Sequence, residues 1–283
     1  MNLDLKNITF IIVTYKSETI IHDCLDTLPK ECKKIVIENS NNIKLQNQLL
    51  SKYDNIEVIL SENIGMGSAN NIGLKKTITE FAFIINPDAR LRKDTLRNIF
   101  EASLEIDDFS VISPINSNLK YLNYKIFSSN HININENIIS VDVVDGFSML
   151  LNLKKFTDKV FFDEKIFLYL ENDDLCKKLR HMNEKIYIVK NSLIDHKGGK
   201  SSEINIDYLR QWHWMWSKFY FNKKHYGFHI AILKVFFNFS SALIKYFVYS
   251  ILFNNHKKKI YKMRLCGLLM SMLGKSSYLR PKD

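Results

Sequence analysis

Residues 8–13 have the sequence ITFIIV, a short apolar stretch rich in β-branched side chains. Such a stretch is typical of a strand that is buried on both faces of a parallel sheet. Three further apolar runs follow at residues 34–38 (KIVIE), 57–60 (EVIL) and 81–86 (FAFIIN), and segments with helical spacing lie between them. This alternation over the first 105 residues predicts an α/β fold with a mostly parallel sheet flanked by helices.

The composition excludes several classes of protein. Nine glycines and four prolines among 283 residues are few for a fold made of many tight hairpins, which disfavours an all-β sandwich. The hydrophobic (46%) and charged (25%) fractions are those of a globular chain and exclude wholesale disorder. The four cysteines form no CxxC pair, and the N-terminus shows no basic segment followed by a long apolar run. We therefore expect a reducing, cytoplasmic location and no secretory signal.

The positive charge is concentrated near the C-terminus. Residues 1–199 contain 25 basic and 27 acidic side chains, whereas residues 200–283 contain 15 and 3. The basic residues flank apolar stretches at 230–237 and 242–253, which favours an anionic membrane surface over nucleic acid as the partner. The apolar sequence of residues 228–253 predicts a helix that lies in the membrane interface. Lys257, Lys258 and Lys259 would then contact anionic headgroups. An ordinary helical core or a homodimer face is the alternative.

Polar residues follow each predicted strand. Ligands of open α/β sheets bind at the carboxyl ends of the strands, so these residues predict a ligand site along one edge. The segment 65–73 lacks the GxGxxG pattern of a dinucleotide site, so its glycines favour close approach of a ligand to a helix N-terminus. The candidates at the strand ends are Thr14, Tyr15, Glu38, Gly67, Asn70, Asn86 and Asp88.

Asp88 and His196 are candidates for binding a metal ion or a phosphate. A divalent cation that is shared with a diphosphate needs only one or two protein carboxylates, a role that suits Asp88. His196 lies in the sequence DHKGGKSS, which predicts a mobile loop that contacts phosphate or metal.

Five carboxylates lie within twelve residues further along the chain. A solvated helix start would explain them, since acidic side chains there complement the helix dipole. The surrounding aromatic and apolar residues favour a partly buried cleft instead, in which one carboxylate acts as a general base. The five are Asp163, Glu164, Glu171, Asp173 and Asp174.

The ordered set of motifs resembles that of family 2 inverting glycosyltransferases. The motifs are ITFIIVTYKSE, VIENSNN, NIGMGSANNIG, FIINPDA, VDGFSML, FFDEKIFLYLENDDLCKKL and DHKGGKSS. They are most similar to the rhamnosyltransferase-like branch of bacterial surface-polysaccharide synthesis. The resemblance covers about residues 8–227 and implies a GT-A fold in a nucleotide-sugar domain at residues 1–227. Residues 228–283 would then form a helical tail that associates with membranes or oligomerises.

The resemblance also implies roles for single residues. Thr14 and Tyr15 would lie against the nucleotide, and Glu38 would stand where the family usually has an aspartate that faces the base or ribose. Gly67 and Asn70 would flank the nucleotide, and Gly146 would open the acceptor side. Asp88, in the Asn86-Pro87-Asp88 form of the DxD motif, would hold Mg²⁺ or Mn²⁺, and His196 would meet the diphosphate or the metal.

One position departs from the family pattern. The second residue of the family's acidic run is commonly the catalytic base, and here that residue is Asn172. An amide is not a useful base at neutral pH, so Glu171, or else Asp173 or Asp174, would accept the proton. A catalytically silent sugar-nucleotide-binding or assembly protein is the alternative.

The resemblance implies a metal-dependent transfer of one sugar with inversion. The donor would be rhamnose on thymidine diphosphate, or another hexose on a nucleoside diphosphate such as UDP. The acceptor would be a lipid-linked saccharide. Together with the basic tail, this places the enzyme in the cytoplasm, peripheral to the inner face of the cell membrane.

Overall fold

The computed structural model describes residues 3–129, 131–196 and 207–280. The strands are β1 Ile8–Thr14, β2 Lys33–Glu38, β3 Ile56–Leu60, β4 Phe81–Ile85, β5 Ala89–Leu91, β6 Val111–Asn116, β7 Tyr124–Lys125, β8 Ile138–Ser140, β9 Val143–Val144, β10 Ser148–Asn152 and β11 Ile186–His196. The helices are α1 Ile21–Leu25, α2 Ile43–Lys52, α3 Met66–Lys76, α4 Thr95–Glu105, α5 Glu171–His181, α6 Asp207–Tyr226, α7 Phe228–Ile251 and α8 Asn255–Met272.

Nine of the described strands form one sheet. Its order is β3-β2-β1-β4-β10-β6-β11-β5, with β8 also paired to β11. The first four strands are parallel, and β10 joins β4 in the antiparallel direction. The predicted α/β fold is therefore confirmed, and the four strands expected from the sequence lie side by side.

Strand β1 is buried along its whole length because helices cover both faces of the sheet. On one face, the ring centroids of Phe10 and Phe83 lie 5.3 Å apart. On the other face, α3 packs directly on the strand: a Cβ atom at Gly73 would lie 2.7 Å from Cγ2 of Ile11. A side chain at residue 73 would push α3 away from β1, so glycine sets the depth of this contact.

The described residues group into two compact units. The first runs to Asp163 and resumes at Asn172, and it contains the sheet and α1 to α5 apart from Glu171. The second comprises Glu164–Glu171 and the helices α6, α7 and α8. The predicted boundary at residue 227 stays a prediction, although α6, which the sequence analysis placed in the first domain, packs here against α7 and α8.

The second unit has a small core of its own. Met215 and Phe219 of α6 pack with Val235 of α7 and Leu268 of α8. Helices α6 and α8 approach each other closely, because a Cβ atom at Gly267 would overlap the carbonyl oxygen of Trp212. This contact explains why one of the nine glycines of the chain lies within α8.

Helix α7 has a largely uncovered apolar surface. Its buried residues are Ala231, Val235 and Ala242. By length and composition, it is the one helix of the described residues that is long and apolar enough to cross a membrane. Its exposed large side chains include Leu233, Phe236, Phe237, Ile244, Phe247 and Ile251.

Candidate active site

The carboxyl ends of β1 and β2 lie next to each other. Thr14 pairs in register with Glu38, and the backbone N–H of Asn39 donates to the carbonyl oxygen of Thr14 over 2.8 Å. Thr14 is fully buried, and its Oγ1 has no hydrogen-bond partner among the described residues. A buried hydroxyl without a partner is costly, which makes this atom available to a ligand group. Tyr15 follows it and is half-buried.

The buried carboxylate of Glu38 is engaged within its own turn. Its Oε1 accepts a hydrogen bond from Ser40 Oγ over 2.5 Å, and its Oε2 accepts from the backbone N–H groups of Ser40 and Asn42. These bonds fix the loop between β2 and α2. Contact between Glu38 and a nucleotide stays a prediction.

The loop before α3 is held by amide side chains. Asn39 donates to Oδ1 of Asn63 over 3.2 Å and accepts from the backbone N–H of Ile64 over 3.3 Å. Gly65 then caps α3 with φ of 94°, a left-handed conformation that favours glycine. The resulting helix N-terminus suits an anion, because its first N–H groups have no partners within the helix.

Two of the predicted nucleotide residues lie in the first turns of α3. Gly67 and Asn70 are both buried. The Oδ1 atom of Asn70 has no hydrogen-bond partner among the described residues. Thr14, the last residue of β1, and Asn70, in the helix that follows β3, thus each present an unsatisfied buried oxygen.

The structure brings Asp88 and His196 together. His196 Nε2 lies 3.3 Å from Asp88 Oδ1, and both side chains are mostly buried. The imidazole stacks on the ring of Phe147, with centroids 4.0 Å apart and planes 8° from parallel. The backbone N–H of Asn86 donates to the carbonyl oxygen of Phe147 over 2.9 Å, which joins the end of β4 to the same cluster.

The prediction that His196 lies in a loop is wrong. His196 is the last residue of β11 and pairs with Ala89 of β5. The strand pairing and the Phe147 ring therefore orient the imidazole. The remainder of the predicted loop, residues 197–202, lies outside the described residues.

The predicted base residues occupy different environments around the start of α5. Glu171 is the first residue of α5 and groups with the second unit. Asp173 forms an ion pair with Lys125, with Nζ 2.9 Å from Oδ1. Asp174 is 2% exposed.

Asn172 has a structural contact that a carboxylate would not make. Its Nδ2 donates a hydrogen bond to the carbonyl oxygen of Val144 over 2.9 Å. Gly146 packs against the same side chain, because a Cβ atom at residue 146 would lie 3.4 Å from Cβ of Asn172. Asn172 therefore ties the start of α5 to the segment around Gly146.

Asp145 is a carboxyl group of this region that the sequence analysis did not select. Burial raises its pKa, Asp173 raises it further, and the positive charge of Lys125 and of a protonated His196 opposes the rise. Its position directly before Gly146 was the available signal in the sequence. An aspartate before glycine is more often a turn residue, so that signal alone was weak.

The donor set at Asp88 and His196 fits a divalent metal ion that is shared with a ligand. A group of three or more His, Cys, Asp or Glu side chains suited to a metal is absent from the described residues. One carboxylate oxygen and one imidazole nitrogen lie 3.3 Å apart here, and a divalent cation at Asp88 would take its remaining ligands from diphosphate and water oxygens.

Comparisons with known proteins identify similar sequences and folds. Residues 9–129, less than half of the chain, match the family model described as glycosyl transferase family 2. The low-salt glycan biosynthesis hexosyltransferase Agl10 of Haloferax volcanii is 24% identical over 207 residues. That alignment covers 63% of each chain, so this chain spans less than two-thirds of the curated relative.

Solved structures show the same fold at low sequence identity. A mannosyltransferase from Pyrobaculum calidifontis, in complex with GDP-Man and Mn²⁺, superposes with a TM-score of 0.56 at 11% identity, over 95% of this chain and 88% of that one. S. aureus TarS, residues 1–349, superposes with a TM-score of 0.53 at 15% identity, over 95% and 92%. The GT-A fold expected from the motifs is therefore confirmed.

The comparisons support a coarser function than the motifs imply. They show a match of residues 9–129 to glycosyl transferase family 2 and the GT-A fold, and they leave the activity and its substrates as proposals. The rhamnosyl branch, inversion, metal dependence and each residue role stay predictions.

Proposed function

We propose that this protein transfers a hexose from a nucleoside-diphosphate donor to a hydroxyl group of a saccharide acceptor, with inversion at the anomeric carbon. The observation that best supports this function is the approach of Asp88 and His196 to 3.3 Å beyond the end of β4, although they are far apart in the sequence. A mostly buried acid and imidazole at this edge of an α/β sheet suit a metal-bound diphosphate.

The donor site would use the unsatisfied oxygens of the same edge. Thr14 Oγ1 and Asn70 Oδ1 would form hydrogen bonds with the nucleotide, and the N-terminus of α3 would face the diphosphate. Tyr15, Glu38, Asn86 and Gly146 complete the proposed set. Asp88 and His196 would hold Mg²⁺ or Mn²⁺, which neutralises diphosphate charge when it is bound.

The proposed chemistry is a single displacement. A carboxylate accepts the proton of the acceptor hydroxyl, the hydroxyl oxygen bonds to the anomeric carbon, and the bond from that carbon to the diphosphate oxygen breaks. The nucleoside diphosphate leaves with the bonding electron pair. Glu171 is the first candidate for the base, followed by Asp174 and Asp173. Asp145 joins them because it directly precedes Gly146 and its pKa is raised by burial, which makes its carboxylate a stronger base than an exposed aspartate.

The proposed substrates follow the motifs and the relatives. The donor is rhamnose on thymidine diphosphate or another hexose on a nucleoside diphosphate such as UDP. The acceptor is a lipid-linked saccharide of cell-surface polysaccharide synthesis. The hexosyltransferase and mannosyltransferase among the similar proteins support a hexose.

The proposed location is the cytoplasmic face of the cell membrane. The apolar surface of α7 would enter the interface, and Lys257, Lys258 and Lys259 at the start of α8 would meet anionic headgroups. A homodimer that covers α7 is the alternative, and nucleic acid is not a proposed partner.

A binding experiment tests the donor site. Nucleoside diphosphates with Mn²⁺ should raise the melting temperature of the wild type by several degrees, whereas Asp88→Ala should lose most of that rise. No stabilisation of the wild type by UDP, GDP or dTDP with Mn²⁺ would contradict the proposal.

A catalytically silent binding protein is the second candidate function, because Asn172 occupies the usual base position. Such a protein would show the same stabilisation by donors but would form no product with any donor and acceptor. Product formation therefore separates the two candidates.

A further inference from the structure

The second unit contains a cavity of about 940 Å³ that the proposed sugar transfer does not use. One wall is the segment from Glu164 to Phe167, the second is a face of α6, and the third is the end of α8 with the chain that follows it. This volume is in the upper part of the range of small-molecule sites, about 300–1,000 Å³.

The cavity is strongly basic. Five basic side chains and one acidic side chain, Glu164, line it. Clefts lined by one sign of charge concentrate counter-ions, and lysine and arginine are the side chains that bind phosphate groups most often. The cavity therefore suits a phosphate-bearing ligand. The basic residues are Lys165, Lys223, Lys224, Lys275 and Arg280.

A buried polar atom of the wall lacks a partner. Ser271 lines the cavity and is 4% exposed. Its Oγ has no hydrogen-bond partner among the described residues, although an unsatisfied buried hydroxyl costs about 1–3 kcal/mol. A ligand that forms a hydrogen bond with Ser271 would remove that cost. The cavity wall therefore offers a buried polar group to a ligand.

The wall formed by the C-terminal segment is held in place. His213 of α6 contacts Ser277 Oγ through Nδ1 over 2.9 Å and the carbonyl oxygen of Leu279 through Nε2 over 2.8 Å. The guanidinium carbon of Arg280 lies 3.9 Å from the ring centroid of Phe167. These contacts hold the guanidinium group of Arg280 in place before a ligand binds, so that its side chain loses less conformational entropy on binding.

One cation of the cavity wall also lies close to the first residue of the uncovered helix α7. Lys223 lines the cavity, and its Nζ lies 5.8 Å from the ring centroid of Phe228, the first residue of α7. Phe228 is 42% exposed and begins the apolar surface of α7. A ligand with a phosphate group in the cavity and an apolar chain along α7 would match both surfaces.

We propose that this cavity binds the phosphate headgroup of an anionic lipid whose apolar chain lies along α7. The proposal deepens the membrane association proposed above by naming its headgroup site. It does not depend on sugar transfer, because none of the proposed donor or base residues lines the cavity.

Sedimentation of the full chain with lipid vesicles tests this site. The vesicles contain phosphatidylglycerol in phosphatidylcholine, and the assay is run at about 0.15 M and about 0.5 M NaCl. The test variant is Lys223→Gln/Lys275→Gln, which removes two exposed cavity cations. The matched control, Lys257→Gln/Lys262→Gln, removes two exposed cations of α8 that do not line the cavity.

The two salt concentrations separate a cavity site from a general surface attraction. At about 0.5 M NaCl the Debye length is roughly 4 Å, so diffuse attraction to the membrane is largely screened. We expect the test variant to bind about tenfold more weakly than the control at both concentrations. Equal losses for the two variants, or a difference that vanishes at high salt, would overturn the proposal.

Two further measurements fix the ligand class and guard against misfolding. Ser271→Asp, which places a negative charge in the cavity, should weaken binding while the melting temperature shows a folded chain. Glycerol phosphate at millimolar concentration should not displace the protein from vesicles, because it lacks the apolar chain. Displacement would identify a site for soluble phosphates and overturn the lipid proposal. Donor turnover measured in detergent should be unchanged in the cavity variants, whether or not they bind vesicles.

Discussion

Asp88 Oδ1 lies 3.3 Å from His196 Nε2, and the His196 ring is stacked on Phe147. We predict that Asp88→Ala lowers sugar transfer by about 10²-fold or more, because the variant loses the carboxylate proposed to hold the ion that would offset diphosphate charge. Release of nucleoside diphosphate from the donor measures this effect. Asp54→Ala removes an exposed carboxylate and is the control. Activity of Asp88→Ala within a few-fold of the wild type would contradict the metal assignment.

Asn172→Asp tests whether residue 172 is structural. The substitution replaces the amide donor that bonds to Val144 with a carboxylate that has no hydrogen to donate. We expect the free energy of unfolding to fall by about 1–3 kcal/mol and sugar transfer not to rise. Urea unfolding and donor turnover measure the two effects, with Asn47→Asp on the exposed face of α2 as the control. A gain in turnover of tenfold or more would show instead that residue 172 is the base position.

Gly267→Ala tests the close contact of α6 and α8. The added Cβ would overlap the carbonyl oxygen of Trp212, so the helices must move apart. We expect a loss of about 1–3 kcal/mol, as is usual for overpacking. Lys262→Ala, an exposed change on the same helix, should leave stability within about 0.5 kcal/mol of the wild type. Equal melting temperatures for the two variants would show that this contact does not limit stability.

His213 should make the second unit acid-sensitive. Burial lowers its pKa from 6.5 to about 4, although its hydrogen bond to Leu279 opposes that shift. Because the unfolded chain then binds more protons, stability falls as the pH decreases from about 6.5 toward 4, by about 3 kcal/mol in total. His213→Gln should lose this part of the pH dependence of the melting temperature, whereas His256→Gln at an exposed site should keep it. An unchanged pH dependence in His213→Gln would contradict a neutral, buried imidazole.

The exposed face of α7 should drive membrane association. Phe236 and Phe237 are 54% and 81% exposed, and burial of each ring in the interface is favourable by roughly 2 kcal/mol. Phe236→Ser/Phe237→Ser should therefore bind vesicles at least tenfold more weakly. Phe127→Ser changes an exposed phenylalanine of the first unit and serves as the control. Equal binding of both variants, or a dimer of the wild type that dissociates on the double substitution, would favour an interface between copies of the chain.

The parallel half of the sheet was predictable because its signals are local. Buried strands require unbroken apolar runs, and the polar residues directly after them mark the edge where ligands bind. The sequence therefore located Thr14, Asn70 and Asp88 at this edge. The comparisons confirm the fold, but they do not test the roles of these residues, which require experiments.

The full extent of strand β11 could not be predicted from the sequence because its pairing is irregular. Lys190, Asn191 and Ser192 interrupt the apolar pattern, and the pairing with β6 shifts register between Val189 and Leu193. A strand that passes through a bulge does not keep its period-2 pattern, so the sequence placed His196 in a loop.

Long-range contacts explain the features that the sequence did not reveal. Ser217 Oγ donates to the carbonyl oxygen of Leu168 over 2.8 Å, which joins the segment before α5 to the helical unit across 49 positions. The burial that raises the pKa of Asp145 likewise comes from the folded chain. Neither effect leaves a periodic pattern in the sequence.

Turnover of nucleotide sugars by the wild type tests the central claim most directly. The measurement is the release of nucleoside diphosphate from dTDP-, UDP- and GDP-hexoses with Mn²⁺, with and without a saccharide acceptor. We predict release from at least one donor, stimulated by acceptor and lost in Asp88→Ala. The absence of release from every donor, in protein that is folded and binds Mn²⁺ with a nucleoside diphosphate, would contradict a glycosyltransferase and leave a silent binding protein.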